Sequence, residues 1–234
     1  MTRPPAGLGA TASRPQPLNR ILLGCGAAAG PVFIATFLVT GAVRADYDPM
    51  RHPVSSLALG PGGWVQQASF CLNGMMYLAF AAGLVRTQGR RCAPLTGILL
   101  VAAAGAGQIG AGIFITDPVS GYPPGTAHVL SGYSGPEALM HDVAAVPVFL
   151  GIPAAALIWA RASARHRCHC WALYSGATAV IMLAGLALTS AAFAQAPALA
   201  PVGGLLQRLT VGTGMTWLSA LAIRYRIATG TSTG

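Results

Sequence analysis

Six long apolar runs alternate with short polar segments along the 234-residue chain. Each run has close to the roughly 20 residues with which a helix crosses the hydrocarbon core of a bilayer. Lipid cannot satisfy backbone hydrogen bonds, so helix is the state expected for such runs. The pattern predicts an all-α, polytopic membrane protein, a bundle of six transmembrane helices over residues 20–43, 64–85, 94–115, 139–160, 171–193 and 204–223.

The flanking segments differ in composition from this predicted transmembrane domain, residues 19–226. Residues 1–18 are rich in Pro, Gly, Ala and Thr without periodicity, which predicts a disordered cytoplasmic tail, and residues 227–234 are expected to form a second one. Val43-Arg44-Ala45 loosely resembles a signal-peptide cleavage site. The first run is longer than the usual apolar region of a signal peptide, about 7 to 15 residues, so retention as a span is favoured.

The composition agrees with a membrane protein that binds no nucleic acid. Hydrophobic residues make up 54% of the chain and charged residues only 8%, which is far from a soluble domain. The 14 basic residues are all Arg and lie in small groups beside the apolar runs. Such groups orient helices in a bilayer and do not form a nucleic-acid surface.

The distribution of Arg predicts the orientation. With the N-terminus inside, eleven Arg fall on the cytoplasmic side, and Arg44, Arg51 and Arg208 fall outside. This asymmetry follows the positive-inside rule and predicts cytoplasmic N- and C-termini in the inner (plasma) membrane. All five acidic residues then lie outside or at the outer interface, namely Asp46, Asp48, Asp117, Glu137 and Asp142.

The segment after the first run is dense in groups that could do chemistry. Asp48 and His52 are candidate catalytic residues, and Tyr47 and Arg51 are candidate substrate-binding residues. Trp64, at the start of the next run, joins the substrate-binding set. A structured turn is an equally weighted alternative, because Asp-Pro and His-Pro restrict the backbone and Ser and Asp cap helices.

A second polar segment follows the third run. Asp117 is a candidate catalytic residue and Tyr122 a candidate substrate-binding residue. The alternative is that Asp117, held by the following Pro, only ends the third span. Deeper in the predicted bundle, Asn73 and Gln108 are polar residues that could contact substrate, although hydrogen bonding between helices is the more general use of membrane amides.

His141 and Asp142 begin the fourth run and are the third candidate catalytic group. Asp142 is the strongest single candidate, because an ionisable group at the edge of the hydrocarbon is costly unless it faces a partner or a cavity. Neighbours on a helix point about 100° apart, so the pair is not expected to address one small site from a single face. Arg208 in the sixth run is the expected partner of Asp142, as a structural pair or as part of a substrate site.

No cofactor or metal is expected. No phosphate-binding glycine loop with Lys is present, and no His-x-x-x-His or Glu-x-x-His pair marks a metal-binding helix. A zinc site built from His52, His128 and His141 stays open as a minor alternative, because the ligand types suit zinc while their spacing indicates nothing.

Four separated segments resemble the DUF998 family of bacterial and archaeal integral membrane proteins. These are Tyr47 to Trp64, Thr116-Asp117-Pro118 with Gly121-Tyr122-Pro123, His141-Asp142, and Leu206-Gln207-Arg208. The resemblance extends from the first to the sixth run. It implies a six-span membrane protein and leaves the chemistry open.

The expected function is an enzyme that uses carboxylate acid/base chemistry on a lipophilic isoprenoid or lipid substrate in an outward-facing polar pocket. A carboxyl group in dry surroundings can protonate an alkene or epoxide, as small membrane terpene cyclases do, and this is the most specific form of the hypothesis. A transporter of small molecules or ions, or an assembly partner without chemistry, remain as alternatives. Besides the bilayer and the substrate, no partner is identified.

Overall fold

The computed structural model describes residues 17–87, 94–129 and 131–230, and within them the chain is all-α. Each predicted apolar run is one helix. In chain order the helices are α1 (Pro17–Val43), α2 (Trp64–Arg86), α3 (Leu95–Ile113), α4 (Pro136–Arg165), α5 (His169–Phe193) and α6 (Gly203–Gly230). Inside α4, Pro147–Gly151 form a π-helical turn between two α-helical halves.

The helix boundaries lie close to the predicted ones, with two larger differences. Helix α4 begins at Pro136 and ends at Arg165, so it is longer than the predicted run at both ends. Helix α6 continues to Gly230, so residues 227–230, which were assigned to the C-terminal tail, are helical. Pro17 and Leu18, the last residues of the predicted N-terminal tail, are helical. The rest of the two predicted tails, residues 1–16 and 231–234, lies outside the described residues.

Five helices, α1 to α5, are long and apolar enough to cross a membrane. Helix α6 is not among them, because Gln207 and Arg208 near its beginning and Arg224 and Arg226 near its end lower its mean hydropathy. It nevertheless packs along α1 and α5, and Trp217 at its centre is completely buried. The chain is therefore a multi-pass membrane protein, and crossing by the sixth helix stays a prediction.

The helices form a ring that follows the order of the chain. Each helix packs against the next, and α6 packs against both α5 and α1, which closes the ring. Large buried side chains such as Tyr77, Phe80 and Trp217 fill its interior. The indole N–H of Trp217 donates to the Ser175 hydroxyl at 3.0 Å, which satisfies a polar group inside this apolar core.

The two ends of the ring carry opposite charges. The acidic end comprises the loops 44–63, 114–135 and 194–202 with the adjoining helix turns, and it holds all five acidic residues of the sequence. The arginine end, opposite, carries Arg20, Arg86, Arg161, Arg165, Arg167, Arg224 and Arg226. The predicted segregation of acids from most arginines is therefore present in the fold. Which end is cytoplasmic stays a prediction.

Glycine allows α2 and α3 to touch at the backbone. A Cβ atom on Gly74 of α2 would lie 2.4 Å from the carbonyl oxygen of Gly105 in α3, and a Cβ on Gly105 would lie 2.9 Å from the Gly74 carbonyl. Such small-residue contacts are a principal way in which membrane helices pack, since lipid provides no hydrophobic force between them.

We expect Gly74→Ala to lower the thermal stability of the detergent-solubilised protein, because the added methyl group must push α2 and α3 apart. Overpacking of this kind costs about 1 to 3 kcal/mol. The control is Gly176→Ala in α5, where an added Cβ meets no atom within 4 Å. A melting temperature lowered equally by both substitutions would contradict the close contact as the cause.

Candidate functional site

The loop between α1 and α2, residues 44–63, is held to the bundle by two arginines. Arg44, at the end of α1, donates to the carbonyls of Leu57 at 3.0 Å and Leu59 at 3.1 Å. These bonds fix the 3-10 turn Val54–Ala58, whose Leu57 side chain is completely buried. From sequence Arg44 was placed outside the membrane without a role. Its guanidinium lies beside Gly60 and Gly62, both of which have positive φ.

Arg208 of α6 holds the same loop from the other side. Its guanidinium donates to the carbonyls of Pro49 at 2.6 Å, of His52 at 3.0 Å and of Gly204, one turn earlier in α6, at 2.9 Å. It also donates to the hydroxyl of Tyr47. A planar guanidinium with five donors suits several carbonyl acceptors at once, so this side chain acts as a structural junction.

The predicted pair between Asp142 and Arg208 is wrong. The hydrogen bonds of Arg208 go to backbone carbonyls and to Tyr47, while Asp142 accepts a hydrogen bond from the Tyr133 hydroxyl at 3.0 Å. The carboxylate of Asp142 raises the pKa of Tyr133, which keeps the phenol protonated as the donor. Carbonyl oxygens accept from an arginine as a carboxylate does, and residue type alone did not reveal which acceptors Arg208 would take.

Tyr47, His52 and Tyr122 form a buried aromatic cluster beneath the loop. The ring centroids of His52 and Tyr122 are 5.0 Å apart, and those of Tyr47 and Tyr122 are 5.3 Å apart. The Tyr47 hydroxyl donates toward the carbonyls of His52 and Pro53 at 3.2 and 3.0 Å. Burial raises the pKa of Tyr47 to about 12, against the opposing effect of Arg208, so the phenol stays neutral.

His52 is engaged by the backbone on both sides of its ring. The Asp48 amide donates to Nδ1 at 2.9 Å, which leaves the proton of the neutral ring on Nε2, and the ring also makes a backbone hydrogen bond with Ser120. The side chain is 7% exposed, and burial lowers its pKa below 6.5 despite the nearby Asp48 carboxylate. These contacts fit the structured-turn interpretation of this segment.

Two further candidate acids also serve local structure. Asp48 Oδ1 accepts the Met50 amide at 2.8 Å within its own turn. Asp117, just after α3, accepts the Ser134 amide at 3.0 Å and the Ser134 hydroxyl, which ties down the segment that leads into α4. Both carboxylates thus organise loops at the acidic end.

A cavity of about 440 Å³ lies at the acidic half of the bundle, between α4 and α5. The second half of α4, Ile152–Arg165, packs on α5, whereas the first half, Pro136–Val146, packs on α3 and makes no comparable contact with α5. The π-helical turn separates these two halves, a feature that often marks functional sites. The apolar walls of the cavity include Phe33, Phe70, Phe149, Leu150, Leu186 and Phe193.

Polar side chains line the cavity chiefly toward the acidic end. They are Ser55, Gln108, Thr116, His141, Asp142, Thr189, Ser190 and Gln207. His141 and Asp142 both line it, because the cavity is wide enough to follow the surface of α4. The expectation that such neighbours do not address one small site from a single face stays a prediction. Gln207 is partly engaged, since its Oε1 accepts the Val54 amide at 2.7 Å.

His141 has one fixed and one uncommitted ring nitrogen. Nδ1 lies 2.9 Å from the carbonyl oxygen of Phe114, and a carbonyl can only accept, so in the neutral ring Nδ1 carries the proton and Nε2 has a lone pair. The side chain is 5% exposed and packs edge-on against Phe70, with ring centroids 6.2 Å apart. This arrangement allows Nε2 to accept a proton or a hydrogen bond.

The other predicted substrate-binding residues are dispersed. Trp64 is 69% exposed at the start of α2 and does not line the cavity. Asn73 is 2% exposed inside the bundle and does not line the cavity. Arg51 and Tyr122 belong to the loop region, so only Gln108 of the substrate-binding set lines the cavity. In the described part of the chain, no three His, Cys, Asp or Glu side chains are grouped to hold a metal.

Tyr133, Thr189 and Ser190 are site residues that the sequence analysis did not identify. Tyr133 lies in a Gly- and Ser-rich segment, and the feature of the sequence that could have indicated a role for it is that it is an isolated aromatic residue there. Thr189 and Ser190 lie in the last turns of an apolar helix, and the buried Thr189 hydroxyl has no partner among the described residues. Helix-borne hydroxyls usually bond to their own helix, which makes such residues inconspicuous in sequence.

We expect Arg208→Lys to loosen the loop 44–63, because an ammonium group cannot reach several carbonyls and the Tyr47 hydroxyl together. Loss of charge-assisted hydrogen bonds should cost about 1.5 to 3 kcal/mol. Hydrogen–deuterium exchange should show faster exchange in residues 47–56. The control is Arg20→Lys, at an exposed position on α1, which should leave exchange in residues 47–56 unchanged. Equally slow exchange of these residues in both variants would show that Arg208 does not hold the loop.

We expect His52 to make folding stability depend on pH. Its folded-state pKa lies below the unfolded value near 6.5, so the unfolded chain binds the proton first and stability declines as pH falls below about 6.5. His52→Asn, which retains an acceptor for the Asp48 amide, should reduce the loss of melting temperature between pH 7.5 and pH 5. The control is His169→Asn, which should lose as much melting temperature between pH 7.5 and pH 5 as the unmodified protein does. If His52→Asn showed the same loss as this control, another group would be responsible for the pH dependence of stability.

The comparisons with known proteins agree with this architecture. The sequence profile of one family, described as "Protein of unknown function (DUF998)", matches residues 27–224. No curated protein and no solved structure matches the chain. The match covers all six helices, except for the beginning of α1 and the end of α6, and every residue that lines the cavity between α4 and α5, and the chain therefore belongs to the DUF998 family.

Proposed function

We propose that this protein is a membrane enzyme that binds a lipophilic molecule in the cavity between α4 and α5 and acts on its polar end group through His141 and Asp142. The observation that carries the proposal is the composition of the cavity walls. Aromatic and aliphatic side chains line most of a 440 Å³ space, and hydrogen-bonding groups gather toward the acidic end. Pockets for small molecules have this general make-up.

His141 is the proposed general base. Its ring is oriented by the Phe114 carbonyl, which leaves Nε2 to take a proton from a hydroxyl group or a water molecule at the polar end of the ligand. Histidine is the side chain that most often serves as a general base in enzymes. The neighbouring Asp142, with Tyr133, supplies a carboxylate and a phenol that can bind the same end group.

Terpene cyclisation has less support than this base chemistry. Protonation of an alkene requires a carboxylic acid in dry surroundings, whereas the side chain of Asp142 is exposed and bonded to Tyr133. Asp48 and Asp117 are engaged in loop structure. No observation on the described residues specifically favours a carrier or an assembly partner.

The proposal includes a six-span topology with both termini cytoplasmic in the plasma membrane. The closed ring supports it, because α6 packs between α1 and α5 in the same bundle. The collection of arginines at one end supports the orientation through the positive-inside rule. The cavity would then face the outer leaflet.

We expect a fatty alcohol that carries a photoreactive diazirine to label the cavity in purified protein, with cross-links mapped by mass spectrometry to residues such as Leu150, Leu186 and Phe193. Ala145→Trp, which fills the cavity, should reduce labelling at least tenfold. The matched control is Val143→Trp, since Val143 is exposed on the same half of α4 and does not line the cavity.

The chemistry is tested in the same preparation. Membranes with the protein are given long-chain and isoprenoid alcohols and their esters, and new products are sought by mass spectrometry. His141→Asn should lower turnover by roughly 100-fold or more, the usual contribution of a positioned base, with labelling retained. Full turnover in this variant would remove His141 from the mechanism. Labelling without any turnover would support binding and reject the enzyme.

A further inference from the structure

A second cavity, of about 290 Å³, lies at the arginine end, far from the site above. It sits where the short turn between α4 and α5 meets the last turns of α6. Its lining includes Trp159, His166, Cys168, Trp171, Arg224 and Tyr225. Nothing in the proposed reaction uses these residues.

Arg224 presents a cation to this cavity. Its guanidinium carbon lies 5.1 Å from the centre of the Trp171 ring, within the range of a cation–π contact. A guanidinium in contact with an aromatic face can still donate hydrogen bonds from its N–H groups to an anion. The side chain is exposed, and the contact that the structure gives for it among the described residues is the one with Trp171.

No acidic side chain is near enough to neutralise this charge. The sequence contains five Asp and Glu, and every one lies at the acidic end, across the bundle. Arg161, Arg165 and Arg167 add positive charge around the α4–α5 turn, and His166 lines the cavity itself. An anion bound here would be attracted by several cations and would have no Asp or Glu side chain beside it.

The walls are ordered and aromatic. The Trp159 indole donates to the Tyr225 hydroxyl at 3.3 Å, and the rings of Trp159 and Trp217 meet edge to face with centroids 5.8 Å apart. In the turn, Cys168 N donates to the Ser163 carbonyl at 2.9 Å, which brings His166 and Cys168 to the cavity rim. A rigid aromatic wall beside fixed cations suits a phosphate that is attached to an apolar or ring-bearing group.

We propose that this cavity is a binding site for a phosphate group, contributed by a phospholipid headgroup or by a soluble phosphate compound. Arg224 binds the phosphate oxygens through its N–H edge, with His166 as a second donor. The site is separate from the cavity between α4 and α5 and does not depend on the function proposed for it.

The test measures the melting temperature of the full-length protein in neutral detergent as ligand is added. The probes are phosphatidylglycerol, phosphatidylcholine and inorganic pyrophosphate. We expect phosphatidylglycerol to raise the melting temperature more than phosphatidylcholine does. In Arg224→Gln the concentration that gives half the effect should rise about tenfold, the loss expected for one charge-assisted contact.

Arg161→Gln is the matched control, because it removes the same charge from an exposed position outside the cavity. If pyrophosphate raises the melting temperature and this effect depends on Arg224 in the same way, the ligand is a soluble phosphate compound. If only phosphatidylglycerol raises the melting temperature, the ligand is a lipid. Equal weakening in both variants would show diffuse attraction and overturn the site, as would no effect of either anion. Should Arg224→Gln fail to fold, Trp171→Leu, which removes the stacking surface, must give the same weakening.

Discussion

The guanidinium of Arg208 joins the first turns of α6 to the loop between α1 and α2, and the order of the acidic end depends on this contact. A loop with several turns exposes carbonyl groups that the helices cannot satisfy, and a single planar cation collects them. The seam between α6 and α1 is thereby closed at the acidic end. Among the described residues, no arginine joins α4 to α5 at that end, and the cavity lies there.

Hydrogen bonding within the loops also determines which acidic residues remain for chemistry. Asp48 and Asp117 bind backbone amides of the loops that they begin, as carboxylates in turns commonly do. Asp142 follows a buried histidine on a helix and bonds only to the exposed Tyr133 among the described residues. The candidate site thus rests on two adjacent positions in α4, with its remaining walls contributed by all the other helices and by the loop after α1.

The six helices could be predicted from sequence because their cause is simple: an apolar run of about 20 residues has no other stable state in lipid. The segregation of acids from most arginines followed from the same segments. The partners of the polar residues could not be predicted, because one cation can bind a carboxylate or several carbonyls and sequence does not distinguish them. The expectation for His141 and Asp142 concerned one small site addressed from a single face, whereas the cavity follows the helix surface and reaches both residues.

The first half of α4 lacks the contact with α5 that the second half makes, and in a ring of membrane-spanning helices such a gap would open toward the surrounding lipid. A molecule that enters by this route comes from the bilayer and not from water, so its abundance is set by its mole fraction among the surrounding lipids. Strong partitioning into the membrane would supply the site even when the aqueous concentration is negligible. Selection among such molecules would then depend on the few hydrogen-bonding groups toward the acidic end of the cavity. Every competing lipid can make the same contacts with the apolar walls, so these contacts do not discriminate.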